Sequence, residues 1–240
     1  MIVIPMAGQS SRFFEVGYSV PKHMLQLEGH SVFYHALNSF RYYFNAIPFL
    51  FIARDIYNTS EFLVAECKKL GIKNCGYVVL RNHTRGQAET VLNGLSQVGT
   101  SDEMPLTIFN IDTFRPNFRF PTDKSIKEAD GFLEVFRGSG DNWSYVRPQS
   151  KGSTKIVEVA EKRCISNLCC TGLYHFKRTS DFRDSFNASS SPRSQAELKE
   201  KYVAPLYNHL IERGLSVHYQ LIDRREVVFC GTPSEYENLI

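Results

Sequence analysis

The chain has 240 residues, 42% hydrophobic and 22% charged, with a formal net charge of +3. That balance fits an ordinary soluble chain with room for one large α/β domain. It argues against a nucleic-acid partner, which calls for a strongly basic face. Every apolar run is broken by Arg, Asn or Asp before the ~20 residues a membrane span needs, and the opening "MIVIPMAG" carries no basic leader. A cytoplasmic protein without membrane insertion is therefore expected. The six cysteines (Cys67, Cys75, Cys164, Cys169, Cys170, Cys230) form no CxxC pair, so reduced core thiols are expected rather than disulfides or zinc.

In chain order, Ile2–Met6 reads as a strand and His30–Tyr43 as a helix with apolar residues near helical spacing. "IPFLFIA" at 47–53 is a continuous apolar run, the mark of a strand covered on both faces. Thr59–Leu70 reads as a helix ending at Gly71, "CGYVVL" at 75–80 as a strand, Gln87–Val98 as a helix and Pro105–Ile111 as a buried strand. This rhythm predicts a mainly parallel sheet flanked by helices. The second half is more of a meander. Strands are expected at Gly131–Phe136, Ser144–Arg147, Ile156–Val159 and 167–176, the last interrupted by Gly172. "NASSSPRSQ" at 187–195 reads as an exposed loop, followed by a helix over Ala196–Arg213 and strands at Ser216–Leu221 and Glu226–Phe229. Thr232 and Pro233 open a last helix, as N-cap and first-turn proline. No repeat or linker stands out, so a single domain over 1–240 is expected.

Ligands of open α/β sheets bind beyond the carboxyl ends of the strands. After the first strand come Gly8, Gln9, Ser10, Ser11 and Arg12, then Lys22 behind Pro21. Gly8 lets the backbone approach a ligand, and consecutive N–H groups in such a loop form an anion nest. Arg12 offers a planar fork for phosphate oxygens and Lys22 a compact cation. Asp112 closes an apolar strand, where a carboxylate is costly unless paired or metal-bound. A hard oxygen ligand there suits Mg²⁺ together with substrate phosphates. The loop is neither a Walker A nor a GxGxxG fingerprint. There is no GxSxG, and His23, His35, His83, His175, His209 and His218 show no metal-ligand spacing. A phosphate-handling cleft is the economical joint reading.

These residues resemble the sugar-phosphate nucleotidyltransferase family, whose pattern A-G-x-G-[ST]-R followed by P-K is met by Ala7, Gly8, Ser11, Arg12, Pro21 and Lys22, with Ser10 where a second glycine usually stands. "RGQAETV" is similar to the family's base-binding region, Asp112 to its strand-end magnesium aspartate and Glu161-Lys162 to its acceptor-binding pair. "TGLYHF" and "FCGTPSEY" resemble the closing segments, in the right order along nearly the whole chain. "GYSVPKHM", "WSYVRP" and "YVAPLYNHLI" look most like small bacterial members tied to capsule and surface-polysaccharide genes, several of them cytidylyltransferases. In one respect the chain departs from the pattern: Phe229 occupies the position of a second metal carboxylate in many members.

The resemblance implies a Rossmann-like mixed α/β fold, with a nucleotide half over about 1–115 and a smaller, β-rich acceptor-binding half over about 116–240. It implies transfer of a nucleoside monophosphate, CMP from CTP favoured, to a phosphorylated small molecule, with Mg²⁺ as cofactor. Arg12, Lys22 and Lys162 are implied as catalytic, and Asp112 as metal ligand. Met6, Ala7, Gly8, Ser10, Ser11, Arg81, Gly86 and Gln87 are implied for the nucleotide. Asn110, Trp143, Tyr145, Glu161, Lys162, Gly172, Tyr207 and Asn208 are implied for the acceptor. UTP- or dTTP-dependent transfer to a sugar 1-phosphate stays open as an alternative, as does a nucleotide-binding regulatory domain without turnover. A glycosyltransferase of related fold would carry a DxD pair where this chain has "DTF". A homo-oligomer also stays open.

Overall fold

A computed structural model describes residues 1–189 and 200–240. The architecture is mixed α/β with a mainly parallel central sheet flanked by helices, as the hydrophobic pattern predicts. The chain divides into two compact units. One comprises Met1–His83, Phe109–Arg119 and Arg225–Ile240, and the other Thr84–Ile108 and Phe120–Arg224.

In the first unit, strand Phe49–Ala53 runs parallel to both its neighbours, Ile2–Met6 and Cys75–Val79. Every residue of Ile2–Met6 and Phe49–Ala53 is buried, which is why both read as unbroken apolar runs. Phe40 packs its ring edge-on against Phe109, with centroids 4.9 Å apart, and tilts against Phe118 at 5.1 Å. Helix Thr59–Leu70 ends at Gly71, as expected. The helix expected over His30–Tyr43 is shorter, Val32–Asn38, for a local reason. Ser31 caps it, its Oγ accepting from Tyr34 N at 3.0 Å, while His30–Ser31 pairs with Gln26–Leu27 as a small hairpin. The strand expected over Pro105–Ile111 runs only Leu106–Phe109, because Thr113 N turns back onto the Asn110 carbonyl at 3.3 Å. Thr113–Phe114 then pairs with Val228–Phe229, a strand that starts late because Arg224–Glu226 forms a 3₁₀ turn. Helix Ser11–Glu15 and the 3₁₀ turn Lys22–Met24 lie where the sequence reads as loop.

In the second unit, Gly131–Arg137 pairs antiparallel with Leu168–Phe176 and parallel with Val217–Ile222. Ser144–Pro148 pairs antiparallel with Ile156–Glu161 and meets Leu168–Phe176 at Cys169. Gly172 does not interrupt its strand. The chain runs through it, with a register shift between Cys170 and Tyr174. Helix Thr179–Ser189 takes in the start of the loop expected at 187–195, and the rest of that loop lies outside the described residues. The helix expected over 196–213 also begins outside them. Its described part is a 3₁₀ turn, Ala204–Leu206, followed by helix Tyr207–Glu212. All six cysteines are free, with Cys67, Cys169, Cys170 and Cys230 buried. Among the described residues no helix is long and apolar enough to cross a membrane.

Ser31 also serves the core, because its hydroxyl donates to Glu66 Oε2 at 2.5 Å, and Glu66 is buried apart from a contact with Lys69 at 2.5 Å. Ser31→Ala removes a helix cap and a donor to a buried carboxylate together. It is expected to cost about 1–3 kcal/mol, read as a lower urea midpoint at unchanged m-value. An unaltered midpoint would contradict the assignment.

Candidate functional site

Two clusters of polar side chains hold several of the residues singled out from sequence, and others lie apart from them. The first belongs to the first unit and starts where strand Ile2–Met6 delivers buried Met6 and Ala7 to exposed Gly8. Ser10 then adopts a left-handed backbone, φ 54°, which costs a non-glycine residue about 1 kcal/mol. Its side chain offsets this by accepting from Lys22 N at 3.1 Å. The serine that replaces the expected glycine thus ties the loop to the Pro21–Lys22 turn.

From that turn Lys22 Nζ donates to Asp112 Oδ2 at 2.5 Å, the two side chains being 23% and 19% exposed. The far side of Asp112 is shaped by the closing "CGTP" stretch. Cys230 N donates to the Asp112 carbonyl at 2.8 Å, and a Cβ on Gly231 would stand 2.9 Å from Asp112 Oδ2. Only glycine leaves the carboxylate free at this approach. Thr232 and Glu235 then form the capping box of helix Pro233–Glu237, with Pro233 in its first turn, as the sequence predicts. Burial, with the Asp112 charge beside it, pushes the Cys230 thiol up to about 12, so it stays protonated at neutral pH. Phe229 is buried opposite Thr113, and Glu226 is engaged with Arg115 at 3.6 Å. Among the described residues no group of three or more His, Cys, Asp and Glu could hold a metal.

Arg12 lies exposed on helix Ser11–Glu15, beside Ser11, and Arg81 is exposed after strand Cys75–Val79. Beyond the strand ends opens a cleft of about 400 Å³ lined by Gln9, Ser11, Arg54, Tyr57 and His83. His83 Nδ1 lies 3.0 Å from Arg54 Nη1 and 3.2 Å from Gln9 Nε2. Asn110 closes the turn ahead of Asp112 through its carbonyl.

The second cluster belongs to the second unit. Gly86 precedes helix Gln87–Val98, with Gln87 half-buried at its start. Lys162, in a left-handed backbone at φ 53°, donates its N–H to the Trp143 carbonyl at 2.9 Å. Its ammonium donates to Tyr202 Oη at 2.6 Å. Glu161, half-buried, accepts from Ser144; burial raises its carboxyl above the ordinary range, against the pull of that hydroxyl and of Lys162. Trp143 is half-buried, edge-on to Phe136 at 5.1 Å.

Asn208 spends both ends of its amide on Val159, Oδ1 accepting from Val159 N and Nδ2 donating to its carbonyl, each at 2.8 Å. It thereby fixes the strand that carries Glu161 and Lys162. Tyr145 and Tyr207 are fully buried. Their hydroxyls donate to the Gly140 carbonyl at 2.5 Å and the His175 carbonyl at 2.8 Å. Gly172 is buried within its strand. Ser144, Tyr202 and Gly231 escape sequence reasoning. All three lie inside quoted motifs, but only contact geometry gives them a role.

Neither protein-family models nor curated proteins contain a match to this chain. Among solved structures, the nucleoside-diphosphate-sugar pyrophosphorylase from Vibrio cholerae RC9 is 51% identical, with TM-score 0.94, over 100% of this chain and 99% of that one. The inositol-1-phosphate CTP transferase from T. maritima shares 16% identity at TM-score 0.71, covering 98% of this chain and 89% of that one. A UTP-bound UGPase from Acinetobacter baumannii shares 15% at TM-score 0.71, over 99% and 90%. The last two show likeness of fold.

His23, next to Lys22, is buried, and its Nε2 has no hydrogen-bond partner. Burial, helped by the Lys22 charge, lowers it to about 3. The unfolded chain takes up this proton near pH 6.5, the folded chain only near pH 3, so the stability it leaves intact above pH 6.5 is lost as pH falls. The loss is about 1.4 kcal/mol per unit over that window. Between pH 7 and 5, unfolding free energy is expected to fall more steeply for the wild type than for His23→Leu, by about 2 kcal/mol in total. Parallel slopes would contradict the buried neutral imidazole.

Proposed function

The chain belongs to the sugar-phosphate nucleotidyltransferase family, and we propose that it transfers CMP from CTP to a phosphorylated small molecule, releasing pyrophosphate. The observation that carries this reading is the Lys22–Asp112 pair, held by Ser10 on one side and relieved by Gly231 on the other. A phosphate oxygen of the acceptor attacks the α-phosphorus in line and pyrophosphate leaves. No protein nucleophile is required, so rate comes from positioning and from neutralising charge.

Asp112 fits Mg²⁺ by its donor chemistry: a hard, partly exposed carboxylate oxygen beside a glycine that leaves it accessible. Magnesium takes one or two carboxylates and completes its shell with phosphate oxygens and water, so buried Phe229 does not exclude it. When bound, the metal supplies charge neutralisation on the triphosphate. Lys22 and Arg12 then face the triphosphate as cations, with Gly8, Ser10 and Ser11 offering backbone N–H groups. Arg81, Gly86 and Gln87 serve the base. The CTP preference rests on family likeness alone.

Lys162 meets the acceptor's phosphate, and Trp143, Glu161 and Asn110 its remaining groups. Asn208 serves that pocket by fixing the strand that carries Glu161 and Tyr145 by fixing the Gly140 carbonyl ahead of Trp143, while Gly172 and Tyr207 are assigned to it on family likeness alone. A role in capsule or surface-polysaccharide biosynthesis in the cytoplasm rests on the likeness to small bacterial family members.

The experiment is a pyrophosphate-release matrix of four nucleoside triphosphates against phospho-sugars, phosphoglycerol, phosphocholine and phosphorylated amino acids. Turnover with CTP is expected. Turnover only with UTP or dTTP and a sugar 1-phosphate would move the assignment to that alternative, and no release with any pair would contradict transferase activity. Lys22→Ala and Asp112→Ala are each expected to lower kcat at least about 100-fold, roughly 3 kcal/mol of transition-state stabilisation, while both variants remain folded by circular dichroism. Near-normal turnover in either would remove that residue from the mechanism.

A further inference from the structure

Residues Glu200, Lys201 and Tyr202 form a strap with two attachments in the second unit. Its backbone lies on the turn ahead of helix Gln87–Val98: Lys201 N donates to the Arg85 carbonyl at 2.7 Å, and the Lys201 carbonyl accepts from Ala88 N at 2.9 Å. Nothing larger than glycine fits beneath it. A Cβ on Gly86 would stand 2.7 Å from both Lys201 N and Lys201 O. At the strap's other end, Tyr202 Oη accepts from Lys162 Nζ at 2.6 Å and donates to Glu200, while the ammonium sits 4.8 Å from the centre of the Tyr202 ring. Val203 and Ala204, which follow, are buried and anchor the strap.

A phenol is an unusual choice of partner for a functional lysine, and its chemistry explains the choice. A free lysine carries about 2 kcal/mol of rotamer entropy that must be lost on meeting a ligand. A carboxylate would restrain the ammonium but cancel its charge. A hydroxyl restrains it without pairing it directly with an anion. Lys22 makes the contrast, since its ammonium is directly paired with Asp112.

The geometry points to Tyr202 as a positioning residue for Lys162, holding its ammonium ordered for the acceptor's phosphate, with the strap tying that order to the Gly86 turn. This inference rests on the reading of Lys162 as the acceptor-phosphate cation. It takes the chain beyond that reading by assigning a residue that acts only through Lys162.

The test uses the full chain, inorganic phosphate as probe and the fluorescence of Trp143, the sole tryptophan, whose carbonyl is bonded to Lys162 N. Wild type is expected to show a saturable response that Lys162→Ala abolishes. Tyr202→Phe is expected to weaken phosphate binding about 5- to 10-fold at an unchanged unfolding midpoint. Gly86→Ala, which drives the strap off its turn, should weaken it similarly. Adding Tyr202→Phe to Lys162→Ala should change nothing further, because coupled residues are not additive. Wild-type affinity in Tyr202→Phe, alongside a dead Lys162→Ala, would overturn the inference and leave the Lys162 reading standing. A wild type without response, or a Lys162→Ala variant that responds like wild type, would refute that reading itself and the inference with it.

Discussion

A lysine ammonium 2.5 Å from an aspartate carboxylate is the contact on which the first cluster depends. Each group needs the other. Asp112 stands in the turn just past the buried strand Leu106–Phe109, where a lone carboxylate would be expensive, and Lys22 would carry a part-buried charge without it. The pair is therefore a stable arrangement that keeps a cation and a hard anion side by side. Three local devices hold the geometry: the Ser10 hydroxyl on the Lys22 backbone, the Cys230 N–H on the Asp112 carbonyl, and the missing side chain at Gly231. Only the last is simple absence of bulk. The first two restrain the main chain on either side of the pair.

The second cluster solves the same problem differently. Lys162 is restrained by backbone conformation, by the Trp143 carbonyl and by a phenol, with Glu161 beside it and Glu200 reached only through that phenol. Around it the polar groups that look most chemical are largely spent on architecture. The Asn208 amide completes a strand edge and the Tyr145 and Tyr207 hydroxyls cap carbonyls. On the proposed reading, a phosphate pocket needs rigid walls more than many reactive groups, because transfer without a protein nucleophile gains its rate from alignment.

Much of this is legible in the sequence alone. Ile2–Met6 and Phe49–Ala53 announce themselves because strands buried on both faces must be apolar throughout. Helix Gln87–Val98 and helix Thr59–Leu70 with its Gly71 stop follow from period and punctuation. The loop after the first strand, Pro21-Lys22 and Asp112 stand out because charge beside an apolar strand end needs a reason. What stays hidden depends on contacts distant in sequence. Ser31 shortens its helix because its hydroxyl is claimed by Tyr34 N and Glu66. Gly231 matters only because Asp112 lies against it, and Tyr202 only because Lys162, forty positions earlier, reaches its hydroxyl. No spacing rule encodes either contact.

The central claim is that metal and nucleotide meet at Asp112. The direct measurement is calorimetric affinity for the nucleoside triphosphate that supports turnover, with and without Mg²⁺, in wild type and in Asp112→Asn. Mg²⁺ is predicted to tighten nucleotide binding in wild type, and the gain to disappear in Asp112→Asn, whose shape is kept and whose charge is lost. An equal Mg²⁺ gain in both proteins would contradict the claim.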